Sequence, residues 1–167
     1  MFPGVYSEDG LVEQPAIRLF AGMGWETINA TEEVFGLNGT LGRDAKGDVI
    51  LAGHLKSALQ RLNPAFPETA IDAAIEEISR DRSAMTMEAA NRELWSLMRD
   101  GVKVSIPDHE KGGVKTERVQ LIDWNNVTNN DFLLVSQMTI TGPLYTCRPD
   151  LIGFVNGIPW VVIELKK

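Results

Sequence analysis

The last twenty residues, RPDLIGFVNGIPWVVIELKK, constrain the fold most. Two apolar runs, Arg148 to Val155 and Pro159 to Lys166, flank Asn156-Gly157, the strongest short hairpin signal a sequence carries. Charge appears only at their far ends, as Asp150, two residues after Arg148, on the first run and Glu164 with Lys166 on the second. Side chains alternate along a strand, so Glu164 and Lys166 face one way and Leu165 the other. Whether Asp150 joins them depends on the turn. A strict two-residue turn pairs Val155 with Ile158, which sets Asp150 opposite Ile163 and away from Glu164. A three-residue loop, or a bulge, changes the parity and brings the two carboxylates to one face.

The composition admits an ordinary globular domain. The chain has 167 residues, 44% hydrophobic and 23% charged, enough to bury about 70% of its unfolded surface without disulfides or a structural metal. One domain, residues 1–167, is therefore the expectation. Cys147 is the lone cysteine, which excludes an internal disulfide. No apolar run reaches membrane-spanning length, and the start MFPGVYSEDG lacks a signal-peptide layout, so a cytoplasmic location and no membrane contact are expected. A net charge of −7 argues against a protein that holds nucleic acid by its overall field. Residues 1–40 carry six acids against Arg18 alone. If this chain touches DNA, most of the grip must come from elsewhere, or its acids must hold a cation that meets the phosphate.

Along the chain, Leu11 to Met23 has helical spacing, with Ser7 as a candidate N-cap. Pro15 requires that this helix start near Val12 or kink there. Trp25 to Asn29 reads as a short strand. The stretch holding Gly36, Gly39, Gly42 and Gly47 reads as a loop without a phosphate-binding pattern. Three helices follow, on Leu51–Leu62, Ile71–Ile78 and Ala90–Met98, the last closed by Gly101. Beyond Gly101 the period changes to alternation. Val102 to Ile106, Val114 to Ile122, Phe132 to Ile140, Arg148 to Val155 and Pro159 to Lys166 read as strands. The expected class is mixed α/β (α+β), with a helical insertion at about 50–101 and a C-terminal, mostly antiparallel sheet.

A cluster of Asp150, Glu164 and Lys166 suits phosphodiester hydrolysis. Hard carboxylate oxygens bind Mg²⁺, with water and a substrate phosphate completing its shell. Bound metal polarises the phosphate and acidifies a water. Lys166 is best placed as the group that positions that water, because an ammonium with a reference pKa near about 10.4 is a poor base unless strongly desolvated.

The pattern Pro149-Asp150, then Glu164-Leu165-Lys166, resembles the PD-(D/E)XK nuclease motif. More closely, RPDLIGFVNGIPWVVIELK is similar to the N-terminal nuclease domain of the restriction (R) subunit of type I restriction-modification enzymes. The likeness extends to Glu13 with the leading helix, Gly24-Trp25, Asn91, Gly101-Val102 and VQLIDWNNVTNNDFLLVSQ. It implies a restriction-endonuclease-like core and a Mg²⁺-dependent endonuclease, a type I site-specific deoxyribonuclease acting on double-stranded DNA. Its implied metal ligands are Asp150, Glu164 and the Leu165 carbonyl, with Lys166 beside the attacking water and Glu13, or in reserve Glu8, assisting from the first helix. It further implies methylation and specificity subunits as partners, and ATP use only through a motor region that this chain lacks.

The chain ends one residue after Lys166, before the helix and strand that follow in such enzymes, so a domain truncated after the E-x-K strand is expected. The strand at 159–166 would then have an unpaired edge open to self-association. Against these readings stand plainer ones: Asp150 as a turn residue, Glu164 and Lys166 as an exposed pair, Glu13 as a solvated helix residue. Another PD-(D/E)XK repair nuclease or resolvase, and a non-catalytic interaction module, are the rival functions. Trp25, Trp95, Trp124 and Trp160 read as core or rim aromatics, the methionines at 85, 87 and 98 as helical packing, and Cys147 as a small apolar filler. His54 and His109 stand apart from any zinc pattern.

Overall fold

A computed structural model of the chain describes residues 12–108 and 112–165. Two compact units make it up, one from Met1–Gly53 with Asp131–Lys167, the other from His54–Asn130.

The first unit opens with helix α1 (Gln14–Gly22), which has Pro15 in its first turn. There the missing N–H costs little, and residues 12 and 13, just before α1, are π-helical, the local irregularity that accompanies the proline. Strands β1 (Glu26–Asn29), β4 (Phe132–Ser136), β7 (Leu151–Val155) and β8 (Ile158–Ile163) form one sheet in the order β1-β4-β7-β8. β1 runs parallel to β4, whereas β4-β7 and β7-β8 are antiparallel. Alternation along the strands sends Leu133, Val135, Ile152 and Phe154 to one face, where they pack with Ala30, Leu41, Leu51 and Met138 as the core. On the other face Trp25 stacks against Phe20 and Phe132 and lies over Gly153, where a Cβ would come within 3.0 Å of its ring. A two-stranded ribbon, β5 (Ile140–Thr141) with β6 (Thr146–Cys147), adjoins.

The predicted strand Phe132 to Ile140 is cut at Gln137, whose φ of 57° ends β4 at Ser136. Between β1 and the first central helix the glycine-rich segment is an ordered loop built around Arg43. Its guanidinium meets the Glu33 carboxylate with both ends of its fork, reaches the carbonyls of Lys46, Asp48 and Thr139, and sits over the Phe35 ring. Cys147 is exposed, not an apolar filler, because it lies on the short outer ribbon and not in the core.

The second unit holds α2 (Ala52–Leu62), α3 (Glu68–Ser79), α4 (Met87–Asp100) and the hairpin of β2 (Val102–Pro107) with β3 (Val114–Val119). α3 packs on β2 and β3, burying Ala70, Ile71, Ala74 and Ile78 at helical spacing. Buried Asn63 ends α2. Its amide donates to the carbonyls of Leu59 and Gln120, and its oxygen accepts the Gln120 N–H. Thr86 caps α4, and Gly101 closes it at φ 80° and ψ 163°, a conformation open in practice only to glycine. A Cβ on Gly101 would lie 2.7 Å from the Val119 carbonyl oxygen. Gly101→Ala is therefore expected to cost about 3 kcal/mol, read as a fall in the urea midpoint at unchanged slope.

Candidate active site

The hairpin decides whether the two acids meet. Val155 pairs with Ile158, and Asn156 and Gly157 have φ of 53° and 79°, a two-residue turn of the kind Asn-Gly favours. Asn156 is fully buried: its side-chain oxygen accepts the Asp131 N–H at 2.8 Å, and its own N–H donates to the Asp131 carbonyl at 2.9 Å. The Gly157 carbonyl accepts the Leu51 N–H at 2.9 Å. With that turn alone, Asp150 would fall opposite Ile163.

The ladder, however, skips a residue. Phe154 pairs with Pro159 but Gly153 pairs with Val161, so Trp160 is an extra residue in β8. Proline offers no N–H to a ladder and is tolerated at bulges, which makes Pro159-Trp160 a natural place for one. Past the bulge Leu151 pairs with Ile163, and the same register continued by one sets Asp150 opposite Glu164. The Leu165 N–H donates to Asp150 Oδ2 at 2.7 Å, tying the two strand ends together. Asp150 is half-buried and Glu164 exposed. Lys166 and Glu8 lie outside the described residues, as do Ser7 and His109.

Glu13 is not a solvated helix residue. It sits just before α1 at 7% exposure and accepts a hydrogen bond from Gln137 Nε2 at 2.9 Å. The Gln137 backbone N–H donates to the Asp150 carbonyl at 3.0 Å. One residue thus touches both the helix acid and the first hairpin acid, across 124 positions of sequence. Beside it, a cleft of about 270 Å³ runs between α1, β1 and β4, lined by Gln14, Ile17, Thr27, Leu134 and Ser136.

Among the described residues, no three His, Cys, Asp or Glu side chains converge as a metal cage. The register, continued one step past Leu151–Ile163, puts two hard-oxygen donors, Asp150 and Glu164, at opposite positions of the hairpin end. That set suits Mg²⁺, which keeps several waters and takes only one or two carboxylates from a protein. Asp150, Glu164 and the Leu165 carbonyl would supply it.

The stretch VQLIDWNNVTNND is otherwise occupied. Asp123 accepts the backbone N–H groups of Asn125 and Asn126 and the Asn129 amide, while Asn130 clamps the Asp123 backbone from both sides. The Asn126 N–H, then the Asn129 amide, hold the Asp123 carboxyl below its ordinary range. Its asparagines fold a loop. Trp95 and Trp124 pair edge to face on the surface, 5.8 Å apart, as rim aromatics.

A helix, then a mixed sheet whose last hairpin brings two carboxylates to its open end, defines a mixed α/β domain compatible with the restriction-endonuclease-like fold. The sequence matches the type I restriction enzyme R protein N terminus over residues 5–167, and the chain belongs to that family. It is 34% identical over 160 residues to the type I restriction enzyme HindI endonuclease subunit of Haemophilus influenzae, covering 93% of this chain and 14% of that protein. It is also 28% identical over 165 residues to a protein of Methanocaldococcus jannaschii provisionally named the type I restriction enzyme MjaIXP endonuclease subunit, covering 96% of this chain and 15% of that one. The chain thus spans about one seventh of the length of these relatives. No helix among the described residues is long and apolar enough to cross a membrane.

Proposed function

We propose that this domain hydrolyses double-stranded DNA phosphodiesters with Mg²⁺, as the nuclease module of a type I restriction enzyme. The observation that carries this reading is the Trp160 bulge, which sets Asp150 opposite Glu164 in a chain of this family. Bound metal would polarise the phosphate and acidify a water. Asp150 and Glu164 are the ligands, with the Leu165 carbonyl as a third. The Leu165 N–H on Oδ2 fixes the Asp150 carboxylate, so its orientation is set before a cation arrives. Lys166 positions the attacking water and stabilises developing charge, a role that rests on the resemblance. Glu13 assists from outside the ligand pair.

With a net charge of −7, the domain does not hold DNA alone. Methylation and specificity subunits and an ATP-driven motor in the longer protein would deliver the duplex, in the cytoplasm. Among the described residues β8 is the last strand of the sheet, with Val161 and Val162 exposed, an edge on which a further strand or a second copy would pair.

Calorimetric titration of Mn²⁺ into the chain tests the reading. Binding is expected in the parent, and Asp150→Ala and Glu164→Ala should each weaken it by about tenfold or more. A folded parent that binds no Mn²⁺ would leave an interaction module as the better description.

A further inference from the structure

Gln137 stands in a conformation that costs it energy. At φ 57° it occupies the left-handed region, which a side chain other than that of Gly, Asn or Asp enters at about 1 kcal/mol or more. A glycine would end β4 there without strain. What glutamine adds is the amide, and that amide reaches Glu13, a carboxylate buried to 7% exposure. Its backbone meanwhile takes the Asp150 carbonyl, and the preceding residue, Ser136, accepts the Ala30 N–H through its own carbonyl. The ends of β1, β4 and β7 are therefore fastened within two consecutive residues, at the end of the sheet where Asp150 lies.

The chemistry of the contact is also particular. A neutral amide satisfies a carboxylate oxygen without cancelling its charge, as an Arg or Lys donor would. It fixes the carboxylate in place.

We propose that Gln137 is a positioning residue of the nuclease site, fastening Glu13 through its amide and Asp150 through its backbone N–H so that the two acids act as one unit. This rests on the reading above, in which Asp150 binds the metal. Groups that hold the acids around a metal in place, ligands or their outer partners, typically contribute about 10- to 100-fold in affinity.

Gln137→Gly separates the two roles, because it keeps the N–H to Asp150, relieves the backbone and deletes only the amide. In Mn²⁺ titrations of the full 167-residue chain, this variant is expected to bind about 10-fold more weakly or worse while melting at or above the parent's temperature. Glu13→Ala should show a similar loss, and the double variant no more than either single one, since both remove the same contact. Gln137→Glu, which sets a second carboxylate against Glu13, should lose affinity and melt lower. Parent-like affinity in Gln137→Gly, or fully additive losses in the double variant, would overturn the inference while leaving the metal site intact. A parent without Asp150-dependent Mn²⁺ binding would instead remove the nuclease reading, and this inference with it.

Discussion

Arg43→Met is expected to lower the unfolding free energy by about 3–5 kcal/mol. Both partners of the Arg43–Glu33 pair are buried, with side-chain exposures of 1% and 5%. Removing the guanidinium strands the Glu33 carboxylate in a low-dielectric setting. It also removes a donor from the carbonyls of Lys46, Asp48 and Thr139. The cost is concentrated because Arg43 is the organising centre of a long irregular segment, which has no helical or sheet ladder of its own to fall back on. Chemical denaturation of parent and variant measures the loss. The double variant Arg43→Met with Glu33→Leu should recover most of it, since a buried pair replaced as a whole by apolar side chains is often neutral. A single variant within about 1 kcal/mol of the parent would show that the pair behaves as a solvated one.

Insertion of one alanine between Ile163 and Glu164 should abolish Mn²⁺ binding with little change in melting temperature. The hairpin ladder runs from Val155–Ile158 to Leu151–Ile163, and the insertion lies beyond its last pair, so the packed strands stay as they are. Opposite Asp150 there would now be alanine, with Glu164 carried one step on and turned to the other face. Leu165 would move with it, and the backbone N–H facing Asp150 Oδ2 would then be that of Glu164, so the carboxylate keeps a donor and loses only its facing acid. Deleting Trp160 is the complementary change. It takes out the extra residue, joins Pro159 directly to Val161 and leaves Asp150 opposite Glu164, so Mn²⁺ binding should survive. Retained binding after the insertion, or lost binding in a folded Trp160 deletion, would contradict the assignment of the two carboxylates to one face.

Much of this domain is legible in the amino-acid order. Gly101 ends α4 because only glycine tolerates the turn into β2, and the shift from helical to alternating periodicity at that point is visible without coordinates. Asn156-Gly157 marks its hairpin by the same local logic. Pro15 fixes the first turn of α1, although the sequence leaves a start and a kink equally open. Asp150, Glu164 and Lys166 stand out because charge is rare at the ends of apolar strands. Pro159, a residue without an N–H inside an apolar run, is the local signal for the bulge that sets the parity.

The four helices, the Asn156-Gly157 turn and the identity of the two hairpin acids are readable in the amino-acid order alone. All of these follow from φ preferences and side-chain period over a few consecutive residues. That Trp160 is the extra residue, that Gln137 leaves β4 in a left-handed conformation to reach Glu13, and that Arg43 closes on Glu33 follow from long-range packing. Each of those joins groups whose meeting depends on packing between segments far apart in the chain, and local propensity carries no information about it.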